Sequence, residues 1–312
     1  METEDYMIHS RNIEGIDSCA VTDWFGTPMN GVYFVKSTLP GGIPSHGNAT
    51  SPIVLIPGGF DPHFGEYSNA LIRDLLERVG APAVYEAHFC HEEQAGFLHV
   101  RAFIEDLAHI CTDPSAQPVI VGLCAGTLAL FGGLLAATER SPNPSALGAL
   151  SIGSYIPHQL NLLGRSIRWS ARRLVERDSA RLRKYAGHNY LFQTGYALTD
   201  WYAESNLLES LLRARPNKAE EDRFPIPVEV VYFGRDILNA RTRRRLRNLF
   251  DAPKAPKKVR GLHRSLRKSP DADSMIASFY QRMRAPHQEL EGRADSSGMA
   301  VPLARVVAAE QD

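Results

Sequence analysis

The run from Pro118 to Ala137 constrains the fold more than any other part of the chain, because its pattern changes abruptly in the middle of an uncharged stretch. Val119-Ile-Val-Gly reads as a short buried strand. Glycines at 122 and 126 then bracket Leu123, Cys124 and Ala125, and a Leu/Ala pattern of helical period follows. Val119 to Ala137 is long enough to be weighed as a membrane-spanning helix, which needs roughly 20 apolar residues. The glycines break that helix, so the expected structure is strand, sharp turn and helix, with no membrane span.

A strand entering a tight turn and leaving as a helix is the context in which Gly122-Leu-Cys-Ala-Gly126 acquires meaning. The spacing is that of the nucleophile elbow, G-x-S-x-G, with cysteine in the serine position. The turn is sharp and strained, and a side chain two residues either way would collide with the neighbouring elements. It lifts the reactive atom above the sheet and sets it at a helix N-terminus, where the dipole favours an anion. The plainer alternative is that Cys124 is a small apolar core residue.

Strand and helix patterns alternate on both sides of this elbow. Two strand-like runs lie within residues 13–37 and suggest an opening antiparallel pair. Ile53-Val-Leu-Ile, the amphipathic Asn69 to Arg78, Ala83 to Phe89, Val100 to Ile110 and the elbow strand then follow as strand, helix, strand, helix and strand. Ala146 to Ile152 supplies a further strand after the elbow helix. This order implies an α/β fold with a mostly parallel sheet covered on both faces. From Tyr155 to about Phe224 the alternation stops and the chain becomes arginine-rich and helical in period, as an inserted helical lid would. It resumes at Pro227 to Gly234, continues through Lys257 to His263 and closes with a helix near Ser274 to Met283. The expected division is therefore 1–154 and 226–285 as the two parts of one core, 155–225 as a lid, and 286–312 as a polar, flexible tail.

Composition excludes several function classes. Acidic and basic residues balance at 35 each, so no overall field points toward nucleic acid. Cys19, Cys90, Cys111 and Cys124 show no C-x-x-C spacing, and no metal or other cofactor is expected. The acidic N-terminus, Met-Glu-Thr-Glu-Asp-Tyr, lacks the basic and apolar regions of a secretory signal, so a reducing, cytoplasmic setting is the expectation.

A thiol of ordinary pKa, about 8.5, is mostly protonated at neutral pH and needs a base nearby. Of the 11 histidines, His263 is the one at the end of a late candidate strand. Asp236 closes Tyr232-Phe-Gly-Arg-Asp just beyond another strand, where its carboxylate can hold the far imidazole nitrogen. Asp251, Asp200 and Asp271 are its rivals, and a surface ion pair with neighbouring arginines is the plainer role. Ile56-Pro-Gly-Gly-Phe60 follows a central strand, and the N–H of Phe60 or Gly59 can pair with that of Ala125 as an oxyanion hole, each contributing roughly 3 kcal/mol to barrier lowering. Alternatively the glycines only make a turn.

Pro57-Gly-Gly-Phe, Gly122-Leu-Cys-Ala-Gly, Gly234-Arg-Asp and Gly261-Leu-His together resemble the α/β-hydrolase superfamily, from about Ile53 to Met283 with the lid between. The resemblance implies a Cys124-His263-Asp236 triad in the nucleophile, acid, histidine chain order of that fold. Cysteine at the elbow is similar to what dienelactone hydrolases and polyhydroxyalkanoate synthases show, and the chain also resembles thioesterase-like chain-release enzymes. The departure from serine leaves three functions open: acyl chemistry on an ester or thioester, hydrolysis of a lactone or carbon–carbon bond, or ligand binding on an inert scaffold. An acyl-cysteine is itself a thioester, close in energy to thioesters of coenzyme A or an acyl carrier protein, which suits transfer as well as hydrolysis. Arg165, Arg168, Arg172, Arg173, Arg177, Arg181, Arg183 and Lys184 crowd the lid and can steer such an acidic or phosphorylated donor, or form a solvated helix face with Glu176 and Asp178. Tyr155, Trp169, Tyr185, Trp201 and Tyr202 are candidates for an acyl pocket, or for simple lid packing.

Overall fold

A computed structural model describes residues 12–41, 51–56, 68–89, 96–123, 126–153, 226–233, 257–259 and 270–297 of the 312. The segment expected to form a lid, 155–225, lies outside the described residues, as does the chain beyond 297.

The chain opens with β1 (Asp17–Val21), a two-stranded hairpin of β2 (Asp23–Trp24) and β3 (Thr27–Pro28), and β4 (Val32–Thr38). Strands and helices then alternate: β5 (Ile53–Ile56), α1 (Asn69–Glu77), β6 (Val84–Phe89), α2 (Gly96–Thr112), β7 (Val119–Leu123), α3 (Gly126–Arg140) and β8 (Gly148–Ile152). Further along the chain come β9 (Val228–Phe233), β10 (Lys257–Val259) and α4 (Pro270–Ser297). Eight strands form one sheet in the order β1-β4-β6-β5-β7-β8-β9-β10. β4 runs antiparallel to β1 and β6, as expected of the opening pair, and the six strands from β6 to β10 are mutually parallel. This is the α/β-hydrolase fold.

The central strands β5 and β7 read as apolar runs because both faces are covered. Val54, Ile56 and Ile120 join a core under α2 and α3, whereas Ile53, Leu55, Val119, Val121 and Leu123 join a second core under α1 and α4. Alternate side chains of one strand thus serve opposite layers. The stretch weighed as a membrane span divides into β7 and α3, and among the described residues no helix is long and apolar enough to cross a membrane.

Two buried contacts pin the layers. On one face, Asp106 of α2 accepts backbone N–H bonds from Asn30, Gly31 and Val32 at 2.9, 2.6 and 3.0 Å, holding the entry to β4. At Gly31 a Cβ would stand 2.1 Å from the backbone nitrogen of Phe103, so only glycine fits. On the other face, the Tyr280 hydroxyl of α4 donates to the Ser51 carbonyl at 2.7 Å, just before β5. Arg282 pairs with Glu229 of β9 at 2.7 Å and lies over the Phe279 ring.

α4 begins earlier than its apolar pattern suggests and runs through Pro286 to Ser297, into the residues expected to form a polar tail. The helix-forming run Gln288-Glu-Leu-Glu on the far side carries it on.

Candidate active site

The carboxyl ends of the six parallel strands share one edge of the sheet, and their registers fix how those ends line up. Ile56 of β5 is the partner of Gly122 of β7, and Gly122 is in turn the partner of Ser151 of β8. One step further, Leu123 pairs with Ile152, Ile152 with Val231 of β9, and Val231 with Lys257 of β10. The strands that precede the expected catalytic residues therefore reach the same edge side by side.

The connections also reverse there. From β5 the chain crosses to β6 on one side and then to β7 on the other, so β5 and β7 flank the switch point of the sheet, where α/β folds bind ligands beyond the strand carboxyl ends. The loop carrying Gly59 and Phe60 leaves β5 at this point. Cys124 and Ala125 occupy the whole connection between Leu123 and Gly126, two residues from the end of a strand to the start of a helix.

Local packing explains why the position next to the end of β7 is glycine. A Cβ at Gly122 would meet Leu130 Cβ and Cδ2 of α3 at 3.1 Å and the Gly126 carbonyl oxygen at 3.2 Å. The first turns of α3 press onto β7 here. α3 is further held by Thr127, whose Oγ1 lies 3.1 Å from Ser151 Oγ, with both residues fully buried. Thr127 and Ser151 were not singled out in the sequence; their signal was a hydroxyl residue at each of two places in otherwise apolar runs.

Cys124, Ala125, Gly59, Phe60, Asp236, His263, Tyr155, Trp169 and Trp201 themselves lie outside the described residues. Asp236 follows the last residue of β9 by three positions and His263 follows the last of β10 by four. Of the rival acids, Asp271 is described, exposed in the first turn of α4, while Asp200 and Asp251 are outside.

The other thiols differ in environment. Cys111 is buried in α2 and burial pushes its pKa up to about 12, so it is chemically quiet, whereas Cys19 is exposed on the edge strand β1.

No known protein-family profile matches the chain, and no curated protein does. Solved structures do. A hypothetical protein from Pseudomonas aeruginosa superposes with a TM-score of 0.53 at 12% identity, over 87% of this chain and 95% of that one. A hyperthermophilic esterase from the archaeon Pyrobaculum calidifontis gives 0.51 at 14% identity, over 87% of this chain and 84% of that one. A fungal esterase from Rhizomucor miehei gives 0.50 at 13%, over 88% and 84%. At these identities the likeness is one of fold.

Proposed function

We propose that the chain is an ester- or thioester-directed acyl enzyme, a hydrolase or acyltransferase that works through an acyl-Cys124 intermediate. The observation that carries this reading is the two-residue connection holding Cys124 between a buried parallel strand and a close-packed helix at the switch point of the sheet. Esterases from Pyrobaculum calidifontis and Rhizomucor miehei share the fold, which favours ester chemistry over a purely binding role.

In this mechanism His263 takes the Cys124 proton and Asp236 holds the imidazole in the required tautomer. The thiolate adds to the substrate carbonyl, and the oxyanion is met by the N–H of Ala125 and that of Phe60 or Gly59. His263 returns the proton to the departing alcohol or thiol, leaving a thioester on Cys124. Water or a second nucleophile, deprotonated by the same histidine, then releases the acyl group and regenerates the thiol.

Cysteine rather than serine at the elbow supports thioester donors, because the covalent intermediate matches them in energy and stays reactive toward a chosen acceptor. Coenzyme A or an acyl carrier protein is the donor class that the arginines between Arg165 and Lys184 would attract. Trp169, Tyr155 and Trp201 are assigned to the acyl pocket within a lid that keeps water out.

Iodoacetamide labelling at about pH 6, followed by peptide mapping, tests the activated thiol. One-to-one labelling of Cys124 ahead of the exposed Cys19 is expected. Labelling of Cys19 alone would contradict the assignment.

A further inference from the structure

Two hydroxyls in the apolar layer beneath α3 call for a physical reason. Thr127 stands in the first turn of that helix and Ser151 near the end of β8, and both are fully buried. A hydroxyl taken out of water costs free energy unless it finds a hydrogen-bond partner, and these two meet at 3.1 Å, where either can donate. Alanine at 151 and valine at 127 would fill the space without that demand.

Their position gives the pair its consequence. Ser151 is the register partner of Gly122, the strand glycine of the elbow. Gly122 lets α3 settle close onto β7, and the hydroxyl pair ties the same turn sideways to β8. The first turn of α3, which begins at Gly126 immediately after Cys124 and Ala125 in the chain, is thus fixed to two neighbouring strands. A helix N-terminus stabilises a thiolate or oxyanion only through N–H groups held in the right direction, and its effect decays within one turn.

We infer that Thr127 and Ser151 are positioning residues for this site: their buried hydroxyl pair holds the N-terminal turn of α3 so that the Cys124 thiolate and the Ala125 N–H keep their aim. The inference rests on the reading of Cys124 as the nucleophile.

The test uses the full chain with Thr127→Val, Ser151→Ala, Thr127→Ser and the Thr127→Val/Ser151→Ala double variant. Turnover is measured with a short acyl-pantetheine thioester, and the rate of Cys124 alkylation by iodoacetamide is followed against pH. Thr127→Val and Ser151→Ala are each expected to lower kcat about tenfold or more with KM within about twofold, since small misplacement of catalytic groups acts on the transition state. Both should also move the alkylation profile to higher pH. Thr127→Ser, which keeps the hydroxyl, should restore both readouts, and the double variant should cost less than the sum of the two single changes. Unchanged kcat and an unchanged alkylation profile in both single variants would overturn the inference while leaving the nucleophile assignment standing. A wild-type chain in which Cys124 neither alkylates nor turns over would instead remove the functional reading beneath it, and the inference with it.

Discussion

Ile56 and Gly122 are partners in a parallel register at the level where β5 and β7 both end, β5 at Ile56 and β7 one residue past Gly122. The loop bearing Gly59 and Phe60 and the connection bearing Cys124 and Ala125 consequently depart from adjacent points of the sheet. An oxyanion hole drawn from one donor in each needs that adjacency.

Gly122→Ala tests how closely the elbow depends on the packing beneath it. The new Cβ meets Leu130 and the Gly126 carbonyl at 3.1 and 3.2 Å, so α3 must shift by a few tenths of an ångström. We expect the variant to fold with about 1–3 kcal/mol less stability by chemical denaturation, and to lose a hundredfold or so in kcat from displaced catalytic groups. Full activity in this variant would mean that the close seating of α3 is incidental to function.

The triad assignment makes separable demands on its members. Cys124→Ala should abolish turnover with native circular dichroism retained, and Cys124→Ser should keep a small residual hydrolysis because His263 must then deprotonate a much weaker acid. Replacing His263 should slow the reaction about as severely as removing Cys124, since such residues act as a unit. Asp236→Asn should leave KM nearly unchanged while cutting kcat by up to about 10⁴ through the wrong imidazole tautomer. Steady-state kinetics on the four variants check this, and sensitivity at Asp251 or Asp200 in place of Asp236 would relocate the acid.

A different prediction concerns Gly31. The backbone atoms of Ala102 and Phe103 within 2.1 to 2.7 Å of its absent Cβ cannot rotate away, and separating α2 from β4 would also strain the three N–H bonds to Asp106. Gly31→Ala should cost at least about 3 kcal/mol in denaturant unfolding. A loss below about 1 kcal/mol would show that the two elements part easily.

Stability should also respond to pH through α4. Asp273 is partly buried, and burial together with the nearby Asp74 carboxylate raises its pKa from 3.8 to about 6, while Arg78 holds Asp74 itself low. A carboxyl raised by folding contributes stability that is fully present below its ordinary value of 3.8 and is lost as pH rises through about 6. Asp273→Asn removes that loss. The unfolding temperature of the variant relative to wild type should therefore rise between about pH 4 and pH 7, and a constant difference across that range would contradict the account.

Much of this architecture was legible because of how particular strands are buried. Ile53-Val-Leu-Ile, Val119-Ile-Val and Val228-Glu-Val-Val are covered on both faces, so nearly every position is apolar and the runs stand out. The β2–β3 hairpin did not stand out, since two residues per strand and a proline at 28 leave no alternation to read. α4 was foreshortened for a different reason: its apolar positions from Ala272 to Met283 give a periodic signal, while the mostly polar sequence past Pro286 gives none. The strand and helix on either side of Cys124 were visible as a pattern, but the contacts between them were not. Leu130 against Gly122 and Thr127 against Ser151 depend on how a helix lies across two strands, which no local pattern encodes.

Whether Cys124 carries an acyl group during turnover is read by intact-protein mass spectrometry after exposure to acyl-pantetheine thioesters. A mass increase equal to one acyl group is expected, mapped to Cys124, absent from Cys124→Ala, discharged by water and faster by an added amine or alcohol acceptor. No adduct and no turnover with any thioester or ester donor, or an equal adduct on Cys124→Ala, would contradict it.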